Sequence, residues 1–356
     1  MNTSFSEVSM KPELSVVVPV FNEEEVITAT QQRLAAVLSA LQLPYEIIYV
    51  DDGSTDRTAE IIRPWCLADG KVKLISFSRN FGHQTAITCG MDYAAGDAIV
   101  IIDADLQDPP EVIPQLIEKW REGYQVVYGR RKRREGETWF KKATAALYYR
   151  LLCRLSNVEI PVDVGDFRLI DSTVRDALLQ LPEHNRYVRG LISWLGYRQT
   201  FVDYERAPRQ AGTTKYPLRK MLKLAGDGIT SFSYRPLKIS IYLGVTLSLA
   251  SFLFLLFIFI SKLFDLVDME PGYASMMSVM LFFFGVVLVM LGITGEYIGR
   301  IFEEVKSRPL YLVLREDGKF YAKSRSGTRP GLPHRDAVRM DGEFPLDEGH
   351  GNISES

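Results

Sequence analysis

Ala98-Ile99-Val100-Ile101-Ile102-Asp103-Ala104-Asp105-Leu106-Gln107-Asp108-Pro109-Pro110 passes from apolar, β-branched residues straight into acidic ones and then into a pair of prolines. A short apolar run closed by turn residues reads as a buried strand, and proline at a first helical position reads as a helix start. The helix that follows carries Val112, Leu116, Ile117 and Trp120 at helical spacing. Working outward, runs of the same apolar kind recur at 15–20, 46–50, 72–77 and 125–128. Between them, residues 24–41 set Ile27, Leu34, Val37, Leu38 and Leu41 on one helix face, and Thr55 is placed to cap a helix through Ile61 and Ile62. Alternation of this kind predicts an α/β fold, a mostly parallel sheet wrapped by helices. Ligands of such sheets bind beyond the carboxyl ends of the strands, which is where Asp103 and Asp105 fall.

Residues 131–236 read as a more mixed continuation, with a helix over 139–155, an irregular stretch at 161–166 and a helix over 172–181. The chain then changes character. Of its 356 residues 47% are hydrophobic and 24% charged, but 239–260 and 273–295 contain no Asp, Glu, Lys or Arg. Each approaches the roughly 20 apolar residues that cross a bilayer as a helix. The short linker between them forces a hairpin, and its charges are mainly Asp265, Asp268 and Glu270. The outer flanks carry Arg219, Lys220, Lys223, Arg235 and Lys238 before the pair and Arg300, Lys306 and Arg308 after it. Positive flanks stay inside, so the expectation is a multi-pass protein of the cytoplasmic membrane with its catalytic part and both termini in the cytosol. The expected divisions are an extension (1–12), a cytosolic domain (13–236), two membrane helices (237–296), a juxtamembrane segment (297–323) and a disordered tail (324–356).

A net charge of −2 gives no global attraction to nucleic acid. Cys66, Cys89 and Cys153 stand far apart without a paired spacing, which argues against a disulfide framework or a zinc cluster. The first eleven residues lack the apolar core of a secretory signal. Neither a Gly-x-Gly-x-x-Gly turn nor a Walker A loop follows the first strand, so a dinucleotide or P-loop site is excluded. In their place stand Asn22-Glu23-Glu24 after the first strand and Asp51-Asp52-Gly53-Ser54 after the second. Amide and acidic side chains suit hydrogen bonds to a base or ribose, while a diphosphate needs positive charge from elsewhere. A hard divalent cation on Asp103 and Asp105 supplies it, because such cations take oxygen ligands and keep positions for phosphate.

Four segments together, Val17-Val18-Pro19-Val20-Phe21-Asn22-Glu23-Glu24, Val50-Asp51-Asp52-Gly53-Ser54, Ser78-Arg79-Asn80-Phe81-Gly82-His83-Gln84 and the Asp103–Pro110 run, resemble the family 2 glycosyltransferases of GT-A fold. Within them the likeness is to the polyprenyl-phosphate branch, which includes dolichyl-phosphate mannose synthases and bactoprenol glucosyltransferases. The resemblance implies a Rossmann-like GT-A domain followed by a two-helix transmembrane hairpin. It places Pro19, Asn22, Glu24 and Asp52 around the nucleoside, and Asp103 and Asp105, with help from Gln107, on Mg²⁺ or Mn²⁺ against the donor diphosphate. Val164-Gly165-Asp166-Phe167-Arg168-Leu169 resembles the segment bearing the acidic residue near the acceptor. Arg209, Gly212, Thr214, Lys215 and Tyr216 resemble the Arg-x-x-Gly-x-Ser-Lys-Tyr loop, with Thr replacing Ser. Arg209, Lys215 and Arg130 are then the expected holders of phosphate.

Basic runs at 130–142 and 206–223, the first beside Trp139, Phe140, Leu147 and Leu151, suit an anionic membrane surface better than nucleic acid. His83, at a helix start, is placed either to reach a phosphate through a ring nitrogen or to cap its turn, and the structural role is the favoured one. The implied reaction is inverting, metal-dependent transfer of one hexose, with UDP-glucose as the expected donor, to polyprenyl phosphate, expected as undecaprenyl phosphate, for modification of cell-envelope glycans. The product is a polyprenyl-phosphate sugar, and a homo-oligomer is compatible with the sequence. Processive synthases of the same fold carry a Gln-x-x-Arg-Trp motif that this chain lacks. A catalytically dead sugar-nucleotide scaffold would have lost Asp103, Asp105, Asp166 or Lys215, and all four are present.

Overall fold

A computed structural model of the chain describes residues 11–131, 164–184, 186–205, 235–263 and 272–320. The expected helix at 139–155, both basic runs apart from Arg130, Arg131 and their nearest neighbours, the Arg209–Tyr216 loop, the acidic part of the hairpin linker and the tail lie outside the described residues.

Four βα units open the chain: β1 (Leu14–Val20), α1 (Ile27–Ala40), β2 (Tyr45–Asp51), α2 (Thr58–Ala68), β3 (Val72–Phe77), α3 (His83–Tyr93), β4 (Ala98–Ile101) and α4 (Ile113–Arg121), the last entered through a short 3-10 turn at Pro110–Val112. Then come β5 (Val126–Arg131), β6 (Val164–Asp171), α5 (Ser172–Gln180), α6 (Val188–Leu195), β7 (Gln199–Tyr204), α7 (Arg235–Leu263), α8 (Tyr273–Lys306) and β8 (Val313–Asp317). One eight-stranded sheet runs in the order β7-β5-β6-β4-β1-β2-β3-β8. The β4-β1-β2-β3 block and the β5-β7 pair are parallel, while β6 and β8 pair antiparallel with their neighbours.

Every residue of β1, β2, β3 and β4 is buried, as strands covered on both faces must be. Alternation divides β1 between two cores. Val16, Val18 and Val20 pack with α1, α2 and α4, whereas Val17 packs with α3, α5 and α6. Helix α3 lies so close to β1 that a Cβ at Gly90 would collide with the Val17 side chain.

Three local readings of the sequence change. Thr55 does not cap α2, which starts at Thr58; the Thr55 N–H instead donates to Asn22 Oδ1 at 2.8 Å, and Asp56 Oδ1 accepts from Thr58 N at 3.0 Å. Residues 164–166, expected to be irregular, begin β6, because they complete a ladder between β4 and β5 in the middle of the sheet. The segment after the second apolar helix is also part of the sheet. Tyr311 stacks on Phe77 at 5.1 Å, Ser78 N donates to Leu312 O at 3.1 Å, and β8 then pairs with β3.

The apolar helices α7 and α8 contain 29 and 34 residues. Within α8 the stretch Phe282–Lys306 is long and apolar enough to cross a membrane, while the apolar stretch found in α7, Ile241–Phe254, is shorter. Their surfaces invert the pattern of the sheet domain: Leu288 is 67% exposed, against 0% for Leu34 of α1. Such faces suit lipid.

Candidate active site

The loops at the carboxyl ends of β1 and β2 are tied to one another. Asn22, in the left-handed region with φ 55°, receives the Thr55 N–H on its side chain and donates its own N–H to Ser54 Oγ at 3.0 Å. Glu24 N donates to Asp56 Oδ2 at 3.2 Å, and Glu24 Oε2 accepts from Arg57 N at 3.1 Å. Pro19 is buried within β1 below these loops. Asp52 is turned inward, where its carboxylate accepts from Phe81 N at 2.6 Å and from Gly82 N at 2.9 Å. Burial pushes its pKa up, against the pull of those two N–H groups toward the charged form.

At the end of β4 the supply of donors fails. Asp103 Oδ1 is buried and has no hydrogen-bond partner among the described residues, and the nearest cation is His83 Nε2 at 3.5 Å. Burial raises the Asp103 pKa to about 6; His83 opposes the rise, while the charges of Asp166, Asp108 and Asp105 add to it. Asp105 Oδ1 accepts from Gln107 N at 3.1 Å, tightening a turn in which Leu106 has φ 56°. Gln107 and Asp108 are buried beneath this turn. Tyr204 of β7 donates to Asp108 Oδ1 in a short hydrogen bond, and Arg131 Nη2 approaches the same oxygen at 3.5 Å.

Asp166 is the reverse of Asp103. Its Oδ1 accepts from Arg168 Nη2 at 2.7 Å and Arg189 Nε at 3.1 Å. Its Oδ2 faces Arg189 Nη2 at 3.2 Å, His83 Nε2 at 3.3 Å and Gln84 Nε2 at 3.4 Å. Burial alone would raise the Asp166 pKa, but the hydrogen bond to His83 and the charges of Arg189 and Arg168 hold it well below the carboxylate range. For His83 burial favours the neutral ring, and the Asp166 hydrogen bond with the charges of Asp103 and Asp166 outweighs that and raises its pKa. One imidazole thus spans an undersupplied carboxylate and an oversupplied one.

The structure therefore brings Asp103, Asp105, Gln107 and Asp166 to one place, with Asn22, Glu24 and Asp52 on the neighbouring strand ends. Arg130 is not among them. It makes a bidentate pair with Asp203 at 2.6 and 2.9 Å beside the Phe201 ring, and it is Arg131 that turns toward Asp108 and Gly165. A register shift in β5 between Tyr128 and Arg130 sets which arginine faces inward. Arg209 and Lys215 lie outside the described residues. His83, Gln84, Arg168 and Arg189 are site residues that the sequence reading did not assign. The Asn80-Phe81-Gly82-His83-Gln84 segment was visible, but its contact with Asp166 spans 83 residues.

Comparison with known proteins gives the family. Residues 15–179 match the model of glycosyl transferase family 2, and residues 235–301 match that of the GtrB C-terminal hairpin. The uncharacterised glycosyltransferase YkcC of Bacillus subtilis (strain 168) is 55% identical over 304 residues, 85% of this chain and 94% of that one. The chain belongs to glycosyl transferase family 2. This family 2 enzyme is also 42% identical over 308 residues to the bactoprenol glucosyl transferase of Shigella phage SfV, covering 86% of the chain and 99% of the phage protein. Glucosyl-3-phosphoglycerate synthase of Mycobacterium tuberculosis, solved with Mn²⁺, UDP and glucosyl-3-phosphoglycerate, overlaps 62% of this chain and 78% of its own at 23% identity and a TM-score of 0.41, too distant a likeness to carry chemistry across. The sheet domain of this glycosyltransferase is a GT-A fold, and its matched hairpin and apolar helix α8 associate it with a membrane.

Proposed function

We propose that this glycosyltransferase moves one hexose, glucose from UDP-glucose, to a polyprenyl phosphate such as undecaprenyl phosphate, with inversion and at the cytosolic face of the membrane. The phage relative named as a bactoprenol glucosyl transferase, matched over 99% of its length, supports the acceptor and the sugar. The Lys and Arg residues flanking the apolar pair support the face.

The observation that carries metal dependence is the buried Asp103 oxygen without a donor, set among Asp105, Asp108 and Asp166. An oxygen site short of positive charge fits Mg²⁺ or Mn²⁺. Asp103 and Asp105 would hold the ion, with Gln107 beside them. Among the described residues no group of three or more His, Cys, Asp or Glu side chains is arranged to bind a metal, and two carboxylates would leave positions on the ion for diphosphate and water. When bound, the cation offsets the charge that builds on the leaving diphosphate.

A phosphate oxygen of the lipid attacks the anomeric carbon, the bond from that carbon to the diphosphate breaks, and UDP departs with the electron pair. No proton need be removed from the nucleophile. With a second pKa of about 6, by analogy with phosphorylated side chains, a phosphate monoester is largely dianionic at neutral pH. Asp166, held ionised by Arg168 and Arg189, is a poor proton acceptor and acts by orienting the sugar and those arginines. Arg131, Arg209 and Lys215 are the candidates for holding phosphate, with Arg130 set aside by its pairing to Asp203.

The decisive test is full-length enzyme in vesicles containing undecaprenyl phosphate, given a panel of labelled nucleotide sugars with and without chelator. Label from UDP-glucose should enter organic-extractable lipid and be lost with chelator. Label that enters only a polymer, or survives excess chelator undiminished, would overturn the reading.

A further inference from the structure

The last turn of α8 touches the sheet domain through one histidine. Glu304 Oε1 accepts from the His184 backbone N–H at 2.8 Å, and Glu304 Oε2 lies 2.9 Å from His184 Nδ1. The other ring nitrogen, Nε2, is 2.6 Å from the backbone oxygen of Arg308, just past the helix. Carboxylate and carbonyl are both acceptors, so main chain and ring of His184 are gripped from two sides of one helix end. The helix stops there because Ser307 is left-handed, with φ 48°.

His184 lies in the connection between α5 and α6, whose described residues hydrogen-bond to one another. Arg186 N donates to His184 O at 3.0 Å, while the Arg186 guanidinium donates to Glu183 O at 3.0 Å and Leu181 O at 2.6 Å. Helix α6 then opens at Val188, whose N–H donates to Gln84 Oε1 at 3.2 Å, and the next residue is Arg189, one of the two arginines on Asp166. Gln84 itself reaches Asp166 through its other end. Arg189, whose guanidinium grips the candidate catalytic carboxylate, stands five positions along the chain from the helix-end anchor His184. The segment beyond α8 also meets the sheet domain at two other places: Tyr311 donates to Asp92 Oδ2 at 2.8 Å in the last turn of α3, and Leu312 O accepts from Ser78 N, at the start of the loop that leads to His83.

We propose that Glu304 and His184 are a positioning pair that locks the Arg189–Asp166 clamp to the end of α8, setting the height of the reacting centre relative to the membrane-embedded acceptor. The inference rests on the lipid-phosphate reading above. Neither residue touches substrate; they act by holding the domain that carries the clamp at a fixed distance from α8. A sugar nucleotide arrives from water and does not sense this spacing, whereas a phosphate head fixed at the bilayer surface does. A misplacement of about 1 Å far from the chemistry can cost on the order of a hundredfold in rate.

The test uses full-length protein in vesicles, with Glu304→Ala, His184→Ala and the double variant, and two acceptors: long polyprenyl phosphate in the bilayer and a short, water-soluble prenyl phosphate. We expect kcat on the embedded acceptor to fall about tenfold or more in each single variant and no further in the double one. KM for the donor and turnover of the soluble acceptor should stay within about twofold of the unaltered protein. Unchanged kcat on the embedded acceptor, additive losses, or equal losses on both acceptors with a raised donor KM would each overturn the proposal, the last by marking a purely structural contact. A readout free of activity separates this idea from the functional reading. Spin labels placed by Trp194→Cys on α6 and Ile298→Cys on α8, both exposed positions, should give one narrow distance distribution that broadens in Glu304→Ala. A distribution that does not change sinks the proposal even if the enzyme proves to use another acceptor. Absence of transfer by the unaltered protein, with the distribution broadened as expected, would sink the lipid-phosphate reading and leave only the mechanical link.

Discussion

Asp52 follows β2 and Asp103 follows β4, on either side of β1, yet the two carboxylates meet opposite conditions. Asp52 turns its oxygens to the Phe81 and Gly82 N–H groups, so this part of the site is satisfied by its own backbone. Asp103 keeps a buried oxygen without a donor, and burial, joined by the charges of Asp166, Asp108 and Asp105, raises its pKa. Asp166, across His83 from Asp103, has two guanidinium groups. Positive charge is built into one part of the site and withheld from another a single imidazole away. On the proposed reading, the fold supplies the orienting clamp in advance and leaves short of positive charge the position that a metal cation would fill.

Breaking the undersupplied side should have the largest effect. Asp105→Asn is expected to lower turnover by about a hundredfold to a thousandfold, the scale seen when transition-state charge loses its partner, and to raise the Mn²⁺ concentration needed for half activity. Near-normal turnover at unaltered metal demand would place the cation elsewhere.

The oversupplied side should yield less. Asp166→Asn removes an orienting charge but no obligatory base, so turnover should fall by about tenfold to a hundredfold. Its pH profile should still rise through the acceptor phosphate pKa of about 6, because the acceptor gains its second charge there. Loss of that acidic limb, or a return to the turnover of the unaltered protein at a pH well above it, would make Asp166 a base. Asp52→Ala sharpens the contrast from the other direction: two N–H groups lose their acceptor, costing about 1–3 kcal/mol of stability. That appears as a lower Tm with donor KM little changed, whereas a raised KM at unaltered Tm would return Asp52 to the nucleotide. Truncation after Lys323 should leave turnover within about twofold, since it removes no strand or site residue among those described.

The strands were legible because β1 to β4 are buried on both faces, and burial of that kind leaves uninterrupted apolar runs such as 98–102. The acidic end of β4 was legible for a related reason, since polar residues packed after such a run must sit at the strand's mouth. What the sequence hid is long-range. No local pattern couples His83 to Asp166, and strand alternation cannot say which of Arg130 and Arg131 points inward when a register shift intervenes. Residues 164–166 looked irregular because a Pro-and-Gly-rich approach masks a strand whose support comes from neighbours on both sides. Thr55 was misread because Asn22, on another loop, takes the N–H group that a helix cap would have left available.

The pairing of β8 with β3 has a consequence for how the protein is made. The ribosome delivers β1 to β7 first, then both apolar helices, and only afterwards the strand that covers β3. Until then β3 is an open edge, with unpaired backbone groups of the kind that recruit foreign strands. Closing it links residues such as Leu74 and Asp317, a contact of very long sequence separation that is slow to form. Synthesis of the apolar helices therefore comes before completion of the sheet, and a nascent chain that stops short of β8 is left with its β3 edge exposed to aggregation and proteolysis.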